Sequence, residues 1–452
     1  CAWRSSNGTV TNYSWYTLGR ALVDTGLGQR DGRCGHGGRK RGRWLQYGFT
    51  AVRTETIRSL DYWLGVPACA ALTTLRRLRG RRPSAAPRRV AFVKFIEQGA
   101  TVLAQDAIAR AVARVGRDNV FFCVFETNRA ILDVLGLVPP ANVLCLRDRS
   151  LVTFAQDFLR VLWRMRRERI DAVIDMEFFS RASAVFAFLS GASTRAGLHR
   201  FTGELPYRGD LMTHRVQYNP HLHISVQYAV LTEAALGSAA DEPLLKVPAA
   251  TIDHGHQSAS FQPTADEVAR IGALIDEAGP GPGPVILLNP NASDLLPLRK
   301  WDTSRFEALA RRLLECYPQA RLVMTGAPNE QAAANAICRA IGSPRVVSAA
   351  GRTTLRELLT LYTLATVLVT NDSGPAHFAS LTPVHTVVLF GPETPHLFGS
   401  RAPATTIIWK QLACSPCVSV FNHRLSPCSN NVCMQSITVD EVFGAVQKAI
   451  ER

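Results

Sequence analysis

At 452 residues and 47% hydrophobic content, the chain is longer than one core usually organises and apolar enough to fill two, which excludes a fibrous or wholly disordered protein. Its formal net charge of +15 would ordinarily suggest a nucleic-acid partner, but residues 1–89 carry 17 Lys/Arg against 4 Asp/Glu, thirteen of the fifteen charges. The rest of the chain is nearly neutral, so no nucleic-acid binding is expected of the folded part.

Residues 1–56 include Gly26-Leu27-Gly28, Gly35-His36-Gly37-Gly38 and Arg39-Lys40-Arg41 with no sustained period, and read as a disordered or non-native leader. The chain starts at Cys1 and has no Met before Met165, so a start near Val52 is the expectation. Residues 57–87 form an amphipathic, arginine-rich segment in which Ile57–Pro67 and Ala68–Leu75 lead into Arg76-Arg77-Leu78-Arg79-Gly80-Arg81-Arg82. The apolar part is too short to span a bilayer, and Pro67 is expected to break a helix. Two readings stay open. One is an interfacial anchor with Tyr62 and Trp63 at the headgroups and the arginines on anionic lipid; the other is a helix packed on the domain with a basic linker. With no secretory or spanning segment read, the expected place is the cytoplasm, peripheral on the inner face of the cytoplasmic membrane. The eleven cysteines are then expected as reduced thiols.

Residues 88–260 open with the strand Val90–Phe95, the loop Ile96–Thr101 and the helix Val102–Val115. A second strand, Ala172–Ile174, ends in Asp175-Met176-Glu177-Phe178-Phe179-Ser180-Arg181. Arg181, Arg195, His199 and Arg200 offer hydrogen-bonding side chains to an anionic acceptor. His221 and His223, one residue apart, would project oppositely on a strand, which argues against a shared metal.

Residues 261–452 repeat the pattern. The strand Val285–Leu288 runs into Asn289-Pro290-Asn291-Ala292-Ser293 and Leu298-Arg299-Lys300-Trp301, and a helix follows from Asp302–Ser304 with Phe306, Leu309, Ala310 and Leu313 on one face. The strand Ala320–Thr325 breaks at Gly326-Ala327-Pro328-Asn329-Glu330. The apolar run Leu361–Val369 reads as a strand ending in Thr370-Asn371-Asp372-Ser373-Gly374-Pro375-Ala376-His377-Phe378, with Asp372 or Ser373 as N-cap and Pro375 early in a helix. The strand Val384–Phe390 stops at Gly391-Pro392-Glu393. Such units predict an α/β fold of doubly wound parallel sheets with the ligand crevice at the carboxyl ends of the strands. Cys414-x2-Cys417-x10-Cys428-x4-Cys433 reads superficially as a zinc or iron–sulfur site and otherwise as packed thiols. A closing helix over Val439–Ile450 is expected to pack on the domains.

From about Leu60 onward the chain resembles the family 9 glycosyltransferases, whose known members include ADP-heptose:lipopolysaccharide heptosyltransferases. The resemblance rests on Ala91-Phe92-Val93-Lys94 with Gln98–Ala104, on Asp171–Asp175, on Asn289–Trp301, and on Thr370–His377 with Phe390-Gly391-Pro392. It implies a GT-B architecture, with two Rossmann-like domains facing across a cleft, the first holding the acceptor and the second the sugar nucleotide. It also implies an inverting, metal-independent transfer of heptose from ADP-heptose onto a lipopolysaccharide-core or other lipid-linked saccharide, with no cofactor beyond the sugar nucleotide. The implied partners are the donor, a glycolipid or saccharide acceptor and the cytoplasmic membrane surface, with the protein a monomer.

The family carries Gly-Asp where this chain has Gly99-Ala100, and that Asp is its proposed general base. Ala100 takes no proton, so Glu97 in the same loop is the expected substitute, and the reading that stays open beside it is a solvated loop carboxylate or one that salt-bridges Lys94 or an arginine. Gly99, Ala100, Thr101, Arg181 and Arg200 are the expected acceptor-side residues. Lys300 matches the family's basic residue at the donor phosphates, with Arg299 as fallback and Trp301 as core. Asn291 and Ser293 are expected to hydrogen-bond phosphate or sugar, Ser373 and Gly374 to offer amides, and Asp372 to orient the turn or bind the sugar. His377 is expected at the site, and Glu330 at the ribose. The catalytic set is Glu97, Lys300 and Asp372. Two alternatives stay open: a GT-B sugar-nucleotide epimerase or hydrolase, and a non-catalytic member that kept its donor cradle but lost its base.

Overall fold

Short β-branched and aromatic runs bounded by Gly, Pro, Asn and Asp form the strands of two parallel sheets. The computed structural model describes residues 61–79, 86–148, 150–200, 208–237, 245–255, 260–292, 296–422 and 424–452. The expected leader and Ser293 lie outside the described residues.

The first sheet contains β1 (Val90–Val93), β2 (Val120–Phe125), β3 (Val143–Leu146), β4 (Ala172–Asp175), β5 (Thr194–His199) and β6 (His214–Gln217), in the order β3-β2-β1-β4-β5-β6. The second contains β7 (Val285–Asn289), β8 (Arg321–Met324), β9 (Val346–Ser348), β10 (Val367–Asn371), β11 (His385–Phe390) and β12 (Thr405–Trp409), in the order β12-β11-β10-β7-β8-β9. All neighbours pair in parallel. Each sheet therefore reverses its winding once, between β1 and β4 and between β7 and β10, and a crevice opens at the carboxyl ends there. This is the GT-B architecture of two doubly wound domains.

Alternate residues of β1 and β2 divide the first core. Val90, Phe92, Val120 and Phe122 face the helices Gln105–Val115 and Ile224–Leu236, whereas Ala91, Val93, Phe121 and Cys123 face the helices Leu151–Arg167 and Arg181–Leu189. The helix Gly65–Arg79 joins the latter layer, contributing the fully buried Cys69. In the second domain Trp301 is completely buried; its indole N–H donates to the Ile437 carbonyl at 3.0 Å, and its ring meets Phe306 edge to face. The closing helix Val439–Ile450 packs into this same core through Val442, Phe443 and Val446. Val102, Ile131 and Leu135 of the first domain share a core with Phe261, Leu359 and Leu381, so apolar burial joins the domains.

Several local expectations are corrected. The helix expected over Val102–Val115 is two helices, Gln98–Leu103 and Gln105–Val115, broken at Ala104. Within Leu361–Val369, residues through Leu364 complete the helix Leu355–Leu364, and the strand begins only at Val367. Pro67 does not break the helix Gly65–Arg79: it is the third residue, in the first turn, where the missing N–H has no intrahelical acceptor to lose. His223 does not lie on a strand; it caps the helix Ile224–Leu236. Among the described residues no helix is long and apolar enough to cross a membrane.

Truncating Trp301 would leave a large cavity and remove one of the two donors to the Ile437 carbonyl, the other being Arg305. Trp301→Ala is expected to cost about 3–5 kcal/mol, read as a lowered denaturant midpoint; an unchanged midpoint would contradict this packing role.

Candidate functional site

The two switch points face each other around one cavity of about 540 Å3. Strand ends supply its chemistry: the loop after β1 brings Glu97, Gly99 and Ala100, the loop after β4 brings Phe178, β7 leads to Asn291, and β10 leads to Asp372, Ser373 and Gly374. Arg299, Glu330, His377 and Arg424 add charged and titratable groups to the lining.

Gly99 governs how closely the walls approach. A Cβ there would come within 2.7 Å of His377 Cδ2 and 3.4 Å of the Gly374 backbone, so the helix Gln98–Leu103 rests directly on the short helix Gly374–Ala379. Glu97, just before it, adopts a left-handed conformation (φ 72°), which turns its carboxylate into the cavity. That carboxylate is doubly paired, with Arg424 through both oxygens and with Lys94 Nζ at 3.2 Å through Oε2. Burial alone would raise its pKa, but the two cations hold it well below the usual carboxylate range. Lys94 is itself buried and bonds Glu177 at 3.0 Å, while Glu177 accepts the Phe95 amide at 2.7 Å.

The opposite wall is built on Arg299. Its guanidinium pairs with Asp372 at 3.3 Å and with the buried Glu393, and donates to the Asp372 carbonyl at 3.2 Å. Burial pushes the Asp372 carboxyl up, against the pull of Arg299. Asn371 braces the wall, donating to the Asn291 carbonyl at 3.1 Å and accepting from the Trp301 amide at 3.1 Å. The Asn291 amide donates to Thr325 O at 3.3 Å. Ser373 occupies the N-cap position without a side-chain cap; its hydroxyl donates to Asn371 O at 3.1 Å. Glu330 accepts the Ala327 amide at 2.7 Å, beside an apolar wall of Pro328, Leu355 and Leu358.

Lys300 is placed elsewhere. The segment after Pro297–Arg299 is extended, so Arg299 points into the cavity, Lys300 is exposed outside its lining, and Trp301 is buried. Thr101 is buried beneath the loop and does not line the cavity. Arg181 is also outside it: as the first residue of its helix it lies under the helix Gly65–Arg79, paired with Asp61 and stacked on Tyr62 at 5.5 Å. Arg200 sits between the Phe179 and Phe421 rings at 4.8 and 4.9 Å. Cys414, Cys417, Cys428 and Cys433 are free thiols, and among the described residues no group of three or more His, Cys, Asp or Glu converges as a metal site.

Sequence reasoning offered Lys94 or an arginine as salt-bridge partners of Glu97, and the structure shows the Lys94 pair. It did not assign Arg424, Glu177 or Glu393 to the site, although Glu177 and Glu393 stood in the quoted strand-end segments. Nothing local links Arg424 to Glu97, 327 residues away.

Two Rossmann domains whose switch points share one cavity define a GT-B protein. The chain belongs to glycosyltransferase family 9 (heptosyltransferase), whose model matches residues 158–424. It is 25% identical over 170 residues to lipooligosaccharide heptosyltransferase 2 of Campylobacter jejuni serotype O:6, covering 36% of this chain and 51% of that protein. With the Haemophilus influenzae lipooligosaccharide heptosyltransferase 2 it is 26% identical over 253 residues, 55% of this chain and 68% of the relative. The chain thus spans about half the length of the Campylobacter relatives it matches. The Escherichia coli ADP-heptose lipopolysaccharide heptosyltransferase II shares the fold at a TM-score of 0.61 and 17% identity, over 80% of this chain and 98% of that one.

Gly99→Ala is expected to push His377 and the helix Gln98–Leu103 apart and to lower the thermal midpoint; an unshifted midpoint would show that the contact yields freely. Burial keeps His223 and His377 neutral down to about pH 4. His223 Nε2 reaches the Gly399 carbonyl across the domains at 2.9 Å. Unfolded histidine takes up its proton near pH 6.5, so acidification from there towards pH 4 favours the unfolded chain. Stability should fall through that window, less steeply in His223→Gln; equal slopes would remove His223 from the account.

Proposed function

We propose that the protein is an inverting, metal-independent glycosyltransferase that moves heptose from ADP-heptose onto a lipid-linked saccharide at the inner membrane face. The observation that carries this is a single cavity with the Glu97 carboxylate on one domain's wall and the Arg299–Asp372 pair on the other's. Family membership favours a heptosyl donor.

The donor lies along the second domain, its base on Leu355 and Leu358, its ribose by Glu330 and its diphosphate at Arg299. The acceptor hydroxyl enters from the first domain. Its oxygen attacks the anomeric carbon while its proton passes to Glu97, and the bond from that carbon to the diphosphate oxygen breaks on the opposite side, which inverts the centre. Arg299 and Arg424 stabilise the charge developing on the leaving diphosphate, the part a divalent ion would otherwise supply.

Paired with Arg424, Glu97 is too weak a base to take a hydroxyl proton efficiently. Donor diphosphate competes for the Arg424 guanidinium, and loosening that pair raises the proton affinity of Glu97 when the donor is in place. Donor binding therefore precedes activation of the acceptor. A donor-binding member without turnover is the second reading, favoured by Ala100 at the position where the family carries an acid.

Glu97→Gln is expected to lower kcat by roughly 10²–10⁴-fold while donor affinity is kept or raised, because the competitor for Arg424 is neutralised; transfer at the wild-type rate would overturn the base assignment. In titrations with ADP-heptose, Arg299→Ala should lose most of the affinity and Lys300→Ala should keep it. The reverse result would return the phosphate role to Lys300.

A further inference from the structure

The helix Leu151–Arg167 has two apolar faces. One is accounted for, since Val161, Leu162 and Met165 are buried against the first sheet and Phe154 and Phe158 pack beside them. The other is not: Val152 is 67% exposed, Leu159 67% and Trp163 60%. At 100° per residue these three fall within an arc of about 40°, so they form one outward stripe rather than scattered exposures.

The exposed charges on the helix itself have one sign, while the exposed Asp148 stands three residues before its start. Arg160, Arg166 and Arg167 are exposed beside it, and the Arg167 guanidinium lies over the Trp163 ring at 5.3 Å. The acidic Asp157 is turned inward, buried and paired with Arg147 and Arg160, and Glu168 at the helix end pairs with Arg89 at 3.2 Å. No exposed carboxylate belongs to this helix. The helix Gly65–Arg79, in the layer covering the same sheet face, is preceded by Tyr62, Trp63 and Leu64, 46%, 70% and 66% exposed, and ends near Leu78, 80% exposed beside the exposed Arg77.

We propose that the outer face of the helix Leu151–Arg167 docks the first domain on an anionic lipid surface, with Val152, Leu159 and Trp163 entering the headgroup boundary and the flanking arginines on lipid phosphates. An apolar stripe containing Trp, edged by arginine and free of exposed carboxylate, is complementary to such a surface in both hydrophobicity and charge. Docking through the acceptor domain would present the cavity to a lipid-linked hydroxyl. For that purpose the inference rests on the proposed acceptor, but partition onto vesicles is measured without donor or acceptor, so the two readings fail separately.

The test is co-sedimentation of the full chain with phosphatidylcholine vesicles with and without phosphatidylglycerol, at low and high salt, for wild type and for Leu159→Glu/Trp163→Glu. High salt screens the basic residues 1–89, which would bind anionic lipid by charge alone, and leaves apolar insertion. Wild type should bind phosphatidylglycerol vesicles and the double variant should bind roughly tenfold more weakly at high salt with an unchanged thermal midpoint. Quenching of wild-type tryptophan emission by brominated lipid should diminish in Trp163→Phe. Equal partition of wild type and variant, no binding by wild type, or a solution dimer that the double variant converts to monomer would each overturn the proposal, the last assigning the face to a second copy of the chain.

Discussion

A missing side chain at residue 99 sets the distance between the two halves of the site. With only hydrogen there, the loop after β1 rests on His377 and Gly374, and the two switch points become walls of one cavity rather than separate crevices. Packing alone would not specify so close an approach. It is reinforced by the shared core around Val102, Ile131 and Leu359 and by the His223–Gly399 contact, whose imidazole burial keeps neutral.

In and behind the cavity wall, charges are held in sets that nearly cancel. Arg299 stands against Asp372 and Glu393, and Lys94 and Arg424 against Glu97 and Glu177. Such sets are costly to bury unless every member is paired, and breaking one pair exposes the others to the full desolvation penalty. On the proposed function, a donor diphosphate would bring charge that rearranges these partnerships and make the cavity responsive to its occupant.

Much of the fold was legible because parallel strands buried on both faces leave continuous apolar runs that stop at Asn, Asp, Gly and Pro; Thr370–His377 and Val285–Asn291 announced both the strand ends and the side of the sheet on which ligands bind. Register and direction were less legible. Arg299 and Lys300 are adjacent cations, and only the extended backbone after Pro297–Arg299 turns one inward and the other out. Arg181 sits at a strand-to-helix turn as expected, yet Asp61 claims it because the helix Gly65–Arg79 covers it. The arrival of Arg424 at Glu97 is a product of tertiary structure, and no periodicity encodes it.

The proposed function requires that this one cavity bind an adenosine-diphosphate sugar. The most direct measurement is the thermal stability of the wild-type chain against a panel of ADP-, UDP-, GDP- and CMP-sugars. An ADP-sugar at about 100 times its dissociation constant should add roughly 2.7 kcal/mol while the others add little. Stabilisation by a different nucleotide sugar alone would contradict the donor assignment, and no response to any member of the panel would contradict the cavity's role in sugar transfer.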